Sequence, residues 1–166
     1  MKTLTHHQGE AVVAEIASAP LNIQRILVAV DFSPESHSAL RYAVMLGKRF
    51  GSTLMLVHVL EPVMTPPEVI IPEGSNERAA SAAYGVLRDL ADEISDGCRV
   101  VETAVRRGIA FFEIIEAAKA LGAELLVVGT HGRTGLERVL LGSTAERVTR
   151  HAPCPVLVVH RSNSRG

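Results

Sequence analysis

The stretch ILVAVD, residues 26–31, decides the fold, because a continuous apolar run here ends directly on an acidic residue. The run is too short for a helix of its own and is rich in β-branched residues. Such a run is typical of a strand that is buried on both faces, as in a parallel sheet covered by helices. We therefore expect residues 26–30 to form a strand that delivers Asp31 to its carboxyl end.

A helix start follows this strand at once. Residues 33–35, Ser-Pro-Glu, offer a capping serine, a proline at the first helical position and an acid in the first turn. Small and apolar residues then recur at helical spacing until Gly51, which is expected to end the helix. These residues are Leu40, Ala43, Val44 and Gly47.

The remaining chain alternates in the same way. Strands are predicted over 53–60, 99–105, 125–128 and 155–160, and helices over 80–94, 111–118 and 142–152. The third strand is more polar and alternating, as suits a sheet edge, and the proline-rich segment 61–76 is a long loop. This order predicts an α/β fold: one doubly wound parallel sheet of five strands with helices on both faces.

Composition narrows the class of protein. The 166 residues suit a single domain, and a net charge of −1 gives no electrostatic footprint for nucleic acid or an anionic membrane. No apolar run approaches the ~20 residues that span a bilayer, and the N-terminus lacks a signal-peptide core, so we expect a cytoplasmic protein. Cys98 and Cys154 have no metal-binding spacing and are expected to be reduced structural thiols.

The candidate site lies where two strands end. Ligands of open parallel sheets bind outside the carboxyl ends of the strands, where the strand order reverses. One end delivers Asp31, and another delivers the segment GTHGRTGLERVLLGST, residues 129–144, which runs into a helix. Its glycines allow close backbone approach, and a helix N-terminus favours an anion. Ser143 and Glu146 also match a capping box, which would explain these two residues by structure alone.

These segments resemble the universal stress protein family. Residues 129–148, followed by PCPVLVV at 153–159, are similar to its nucleotide-binding signature. ILVAVDFSPES at 26–36 resembles its first strand and aspartate, and LMLVHVLEP at 54–62 resembles its second strand. The resemblance covers residues 25–161, which leaves 1–24 as an N-terminal extension and 162–166 as a tail.

The resemblance implies a Rossmann-like sheet in the order 3-2-1-4-5 with ATP between the ends of strands one and four. Mg²⁺ would arrive on the ATP phosphates, with no metal ligand and no catalytic residue from the protein. Adenine and ribose would lie against Ala29, Asp31, Val59, Val128 and Gly129. The phosphates would lie against Gly132, Gly142, Ser143 and Thr144, with His131 and Arg133 assisting. The intact glycine pattern resembles the ATP-binding branch of the family.

The last strand, PVLVV at 155–159, is an apolar edge that invites pairing. Edge-to-edge pairing through this strand is also what the resemblance implies, so we expect a homodimer. The alternative is that the N-terminal extension covers this edge.

Other sites fit the sequence less well. It lacks the G-x4-G-K-[ST] motif of P-loop proteins and has no glycine in the turn after the first strand. Asp31 lacks the neighbouring acids of a phosphoacceptor site, His58 is expected in the core, and Arg106-Arg107 are expected on a solvated surface. We expect a regulatory nucleotide-binding protein of the stress response rather than an enzyme. A slow ATPase or phosphotransferase, or a partner-binding scaffold with an empty pocket, stays open.

Overall fold

A computed structural model describes residues 22–62, 66, 72–96, 98–130 and 141–160. Within them, strands and helices alternate along the chain. In order they are β1 (Arg25–Ala29), α1 (Pro34–Phe50), β2 (Thr53–Leu60), α2 (Ser75–Ser95), β3 (Val100–Arg107), α3 (Ala110–Ala120), β4 (Leu125–Gly129), α4 (Ser143–His151) and β5 (Val156–Val159).

The strands form one sheet in the order β3-β2-β1-β4-β5, and every pairing is parallel. The predicted α/β fold and strand order are therefore confirmed. The chain runs outward from β1 toward β3, then crosses back to β4 and β5. The carboxyl ends of β1 and β4 consequently diverge at the centre of the sheet, where the order reverses.

Alternating strand residues build two separate cores, one on each face of the sheet. One core packs under α1 and α2 and includes Ile26, Val28, Leu54, Leu56 and Leu87. The other packs under α3 and α4 and includes Leu27, Met55, Val57, Leu126 and Val148. We refer to these as the α1–α2 face and the α3–α4 face.

Helix α1 begins and ends where the sequence predicts. The Ser33 side chain accepts a hydrogen bond from the backbone N–H of Ser36 at 3.1 Å, Pro34 is the first helical residue, and Gly51 ends the helix at φ 70°. A left-handed φ is open to glycine at little cost, which is why the helix stops there. No helix within the described ranges is long and apolar enough to cross a membrane.

Several element boundaries differ from the predictions. β1 begins and ends one residue earlier than expected, and α2 begins at Ser75, inside the predicted loop. β3 continues to Arg107, two residues beyond its expected end, because Arg106 and Arg107 pair with Val59 and Leu60 at the end of β2. Pairing with a partner strand, rather than local hydrophobicity, sets this boundary.

Candidate nucleotide-binding site

A cleft of about 790 Å³ opens at the carboxyl ends of the strands. Every predicted site residue within the described ranges lines it: Ala29, Asp31, Val59, Val128, Gly129, Gly142, Ser143 and Thr144. The other three predicted residues, His131, Gly132 and Arg133, lie outside the described residues. Segments that are far apart in the sequence thus meet at the strand-order reversal.

One wall of the cleft is apolar. Ala29, Val59 and Val128 lie on the α3–α4 face of their strands, where they join or pack against the core of that face. Ile114 of α3 and Ala145 of α4 complete this wall. An apolar wall with few polar groups beside it suits the flat face of an aromatic ring.

Asp31 is held by a tight turn at the end of β1. Its Oδ1 accepts hydrogen bonds from the backbone N–H of Ser33 at 3.0 Å and from the Ser33 hydroxyl at 2.5 Å. Phe32, between them, has φ 64°, a left-handed conformation that costs a non-glycine residue roughly 1–2 kcal/mol. The Phe32 ring packs 4.4 Å from the His58 ring and against the α1–α2 core, which offsets that cost.

Gly129 lies where β4 passes the first turn of α1. A Cβ at this position would come within 3.0 Å of the carbonyl carbon and 3.1 Å of the Cβ of Glu35. Gly129 therefore has a packing role in addition to its place in the cleft wall. The sequence pattern did not indicate this close approach, since α1 and β4 are far apart along the chain.

The start of α4 is fixed to the end of β4. The backbone N–H of Gly142 donates to the Thr130 carbonyl at 2.8 Å, and the N–H of Thr130 donates to the Val159 carbonyl at 3.0 Å. Ser143, Thr144 and Ala145 form the first turn of α4 and line the cleft. Their N–H groups have no acceptor within the helix, so the positive end of α4 borders the cleft.

The predicted capping box in α4 is wrong. Gly142, not Ser143, is the N-cap residue, and α4 has no side-chain hydrogen bond at its cap. Ser143 is instead the first helical residue, and Glu146 forms an ion pair with Arg150 at 3.0 Å. The N-cap N–H of Gly142 donates to the Thr130 carbonyl, which takes the place of the glutamate side chain in a capping box. The Ser143 side chain is thus left exposed beside the cleft.

Two charged residues of the cleft were not predicted as site residues. Glu61 follows β2, and its carboxylate accepts a hydrogen bond from the N–H of Ala110 at 3.0 Å, which caps α3. Arg107, at the end of β3, donates to the Asn76 carbonyl at 2.6 Å. The position of Arg107 at the carboxyl end of a strand could have indicated that it lies near the site. The prediction that it lies on a solvated surface is right only in part, because its side chain is 48% exposed and also lines the cleft.

Comparisons with known proteins agree with this arrangement. Residues 22–160 match the sequence model of the universal stress protein family. Universal stress protein MJ0531 of Methanocaldococcus jannaschii is 34% identical over 143 residues, which cover 83% of this chain and 82% of the relative. Universal stress protein YxiE of Bacillus subtilis is 32% identical over 145 residues, which cover 81% and 97%.

Solved structures share the fold. The universal stress protein UspA from Lactobacillus plantarum superposes with a TM-score of 0.74 at 26% identity, covering 84% of this chain and 99% of that one. A universal stress protein in complex with cAMP gives 0.64 at 25% identity, with coverage of 84% and 98%. One from Archaeoglobus fulgidus in complex with dAMP gives 0.52 at 25% identity, with coverage of 84% and 99%. The chain belongs to the universal stress protein family.

Proposed function

We propose that this protein binds ATP in the cleft and acts as a regulatory nucleotide-binding protein of the stress response. One observation carries the proposal: the described residues predicted to contact ATP all line a single cleft at the N-terminus of α4. The solved relatives that hold cAMP and dAMP support the same class of ligand, since both are adenine nucleotides.

The cleft offers a place for each part of ATP. Adenine and ribose lie along the apolar wall at Ala29, Val59 and Val128, with Asp31 as an acceptor for a ribose hydroxyl. Among the described residues, only Ser33 donates to the Asp31 carboxylate, so this carboxylate retains capacity for a ligand. The phosphates lie at the first turn of α4, where free N–H groups and the helix dipole favour an anion.

The predicted loop residues His131, Gly132 and Arg133 complete the phosphate site in this proposal. Mg²⁺ is bound through the phosphates of ATP. Within the described part of the chain, no three His, Cys, Asp or Glu side chains group closely enough to hold a metal ion.

ATP turnover is slow or absent in this proposal. Of the described carboxylates that line the cleft, Asp31 is assigned to the ribose and Glu61 caps α3. A water-activating base near the γ-phosphate is what hydrolysis requires. Phosphate release from the purified protein is therefore expected far below the ~1–100 s⁻¹ of kinases, and a rate in that range would contradict the regulatory assignment.

The direct test is the content of the purified protein. Mass spectrometry of the supernatant after denaturation is expected to detect an adenine nucleotide, and the emptied protein is expected to bind added ATP in a calorimetric titration. The proposal fails if no nucleotide is found and ATP, AMP and cAMP all give no binding heat. If AMP or cAMP binds and ATP does not, the ligand of the cleft is an adenine nucleotide other than ATP.

A further inference from the structure

The cleft continues over the edge of the sheet onto the α1–α2 face, beyond the region proposed for ATP. Along β2, Val57 and Val59 belong to the α3–α4 face. His58 and Leu60 therefore lie on the opposite face, because successive strand residues alternate. Both of these residues line the cleft.

Two neighbouring arginines of β3 likewise lie on opposite faces of the sheet. Arg107 pairs with Leu60 in the sheet and donates to the Asn76 carbonyl of α2 at 2.6 Å. Arg106 pairs with Val59 and lies 3.5 Å from the Glu113 carboxylate of α3. Arg107 thus belongs to the α1–α2 side of the cleft, whereas Arg106 belongs to the other face.

His58 forms the floor of this side. Its side chain is only 3% exposed, and Nδ1 lies 2.7 Å from the Val30 carbonyl oxygen. Because a carbonyl oxygen only accepts, Nδ1 carries a proton, and in the neutral ring Nε2 is then a hydrogen-bond acceptor. The Phe32 ring, 4.4 Å away, holds the imidazole in place.

The Nε2 atom opens into the cleft. Among the described residues, His58 has no hydrogen bond besides the one to Val30. Every fully buried side-chain nitrogen and oxygen in the described ranges has a hydrogen-bond partner. Nε2 is therefore not sealed in the core, and the cleft that His58 lines is where it is accessible.

We call the surrounding space the α2 compartment. It is lined by Ser36, His58, Leu60, Ser75, Asn76 and Arg107. Leu60 follows His58 by two residues on β2, and Arg107 of β3 pairs with Leu60. The Cα atoms of His58 and Arg107 are therefore about 8 Å apart. One small molecule can span that distance. The guanidinium, offset in part by Glu77 at 3.7 Å, and the positive end of α2 favour an anion.

We propose that the α2 compartment binds a small molecule that combines a hydrogen-bond donor with an anionic group. A hydroxyl or amino group donates to Nε2 of His58, and a carboxylate or phosphate pairs with Arg107. The ligand class is therefore a hydroxy or amino acid, or a phosphorylated alcohol. This site lies on the opposite face of the sheet from the apolar wall proposed for ATP, so both ligands bind together.

The test uses the full chain and long-range ¹⁵N–¹H NMR of the histidine rings. Glycerate and glycerol 3-phosphate carry both an alcohol hydroxyl and an anionic group, whereas glycerol lacks the anionic group and inorganic phosphate lacks the alcohol hydroxyl. At least one two-group probe is expected to shift the Nε2 resonance of His58 at concentrations where the single-group probes do not. A response to glycerate alone assigns a carboxylate ligand, and a response to glycerol 3-phosphate alone assigns a phosphate ligand.

Three variants make the assignment specific. Arg107→Met is expected to lower the affinity for the responding probe roughly 10-fold or more, because a hydrogen bond to a charged group is lost. Arg106→Met is expected to leave this affinity unchanged. His58→Asn keeps a donor for the Val30 carbonyl but lacks Nε2, so its binding of the probe is measured by calorimetric titration and is expected to be roughly 2- to 10-fold weaker than that of the parent.

Four results would overturn the proposal. They are no Nε2 shift with either two-group probe, an equal response to inorganic phosphate alone, an equal loss in Arg106→Met and Arg107→Met, or displacement of the probe by ATP. If the protein does not bind ATP at all, the probe experiment still gives its own answer. Failure of the nucleotide proposal is thereby distinguishable from failure of this one.

Discussion

At the scale of single residues, three glycines are predicted to contact the nucleotide, and the two that the structure describes, Gly129 and Gly142, have different roles. Gly129 is pressed against the backbone of Glu35. Gly142 has φ −68° and ψ 152°, which any residue can adopt, so its conformation does not demand glycine. Both glycines belong to one sequence pattern. The sequence alone does not show which glycine is needed for close packing and which leaves room for the ligand, because the packing depends on how α1 and β4 meet.

Gly129→Ala is expected to lower the free energy of unfolding by about 1–3 kcal/mol, since its Cβ would overlap the first turn of α1. Urea unfolding measures the change. Gly85→Ala is the matched control: it lies within α2 with nothing within 4 Å of the added Cβ, and it is expected to stabilise by up to about 1 kcal/mol. A Gly129→Ala protein as stable as the parent would contradict the packing role.

The thiols of Cys98 and Cys154 are buried and partly buried, and this burial makes the stability of the protein depend on pH. Burial raises the pKa of the Cys98 and Cys154 thiols above the ordinary value. Their contribution to stability is complete below the unfolded pKa of about 8.5 and is lost as pH rises through the higher folded pKa.

The difference in unfolding free energy between the parent and Cys98→Ala/Cys154→Ala is therefore expected to shrink from about pH 7.5 to about pH 10. Urea unfolding at both pH values measures it. An unchanged difference would show that ionisation of these thiols is not linked to folding.

At the scale of elements, β5 is an uncovered sheet edge within the described part of the chain, and we propose that it pairs with a second copy. Leu126 N–H donates to the Pro155 carbonyl and Thr130 N–H to the Val159 carbonyl. Backbone groups of alternate residues point to opposite sides of a strand. Those of Val156 and Val158 therefore point away from β4, toward the space where a partner strand would lie.

Val158→Pro is expected to convert a dimer to a folded monomer, because it removes an outward N–H that β4 does not use. Leu157→Pro is the contrasting variant and is expected to unfold, because that N–H faces β4. Sedimentation velocity and thermal melts give the two outcomes. A parent protein that is monomeric across the micromolar range would contradict pairing through β5, and so would a Val158→Pro protein that remains a dimer.

The elements also show how far the sequence alone can predict this protein. Apolar runs and helix caps predicted the strands, the parallel topology and both ends of α1, because these signals are local. The role of Glu61 as the cap of α3 and the division of Arg106 and Arg107 between two faces were not predicted. Both depend on the register between strands, and local pattern does not specify that register.

At the scale of the whole molecule, strand order creates the cleft and the helices supply its polarity. All parallel strands end at this edge, so each helix that follows one begins here and turns its positive end toward the cleft. The α3–α4 side combines an apolar wall with the first turn of α4, and the α2 compartment combines His58 with Arg107. One cleft thereby offers two chemically different halves.

The nucleotide proposal depends on open space at the start of α4, so the decisive measurement is calorimetric titration of ATP into the parent, Gly142→Val and Ser143→Ala. We expect the parent to bind one ATP per chain. Folded Gly142→Val is expected not to bind, because its side chain would occupy the position of the phosphates. Since Ser143 caps nothing, Ser143→Ala is expected to melt like the parent and to bind more weakly by roughly 1.5–3 kcal/mol. A folded Gly142→Val that binds ATP as the parent does would contradict the site.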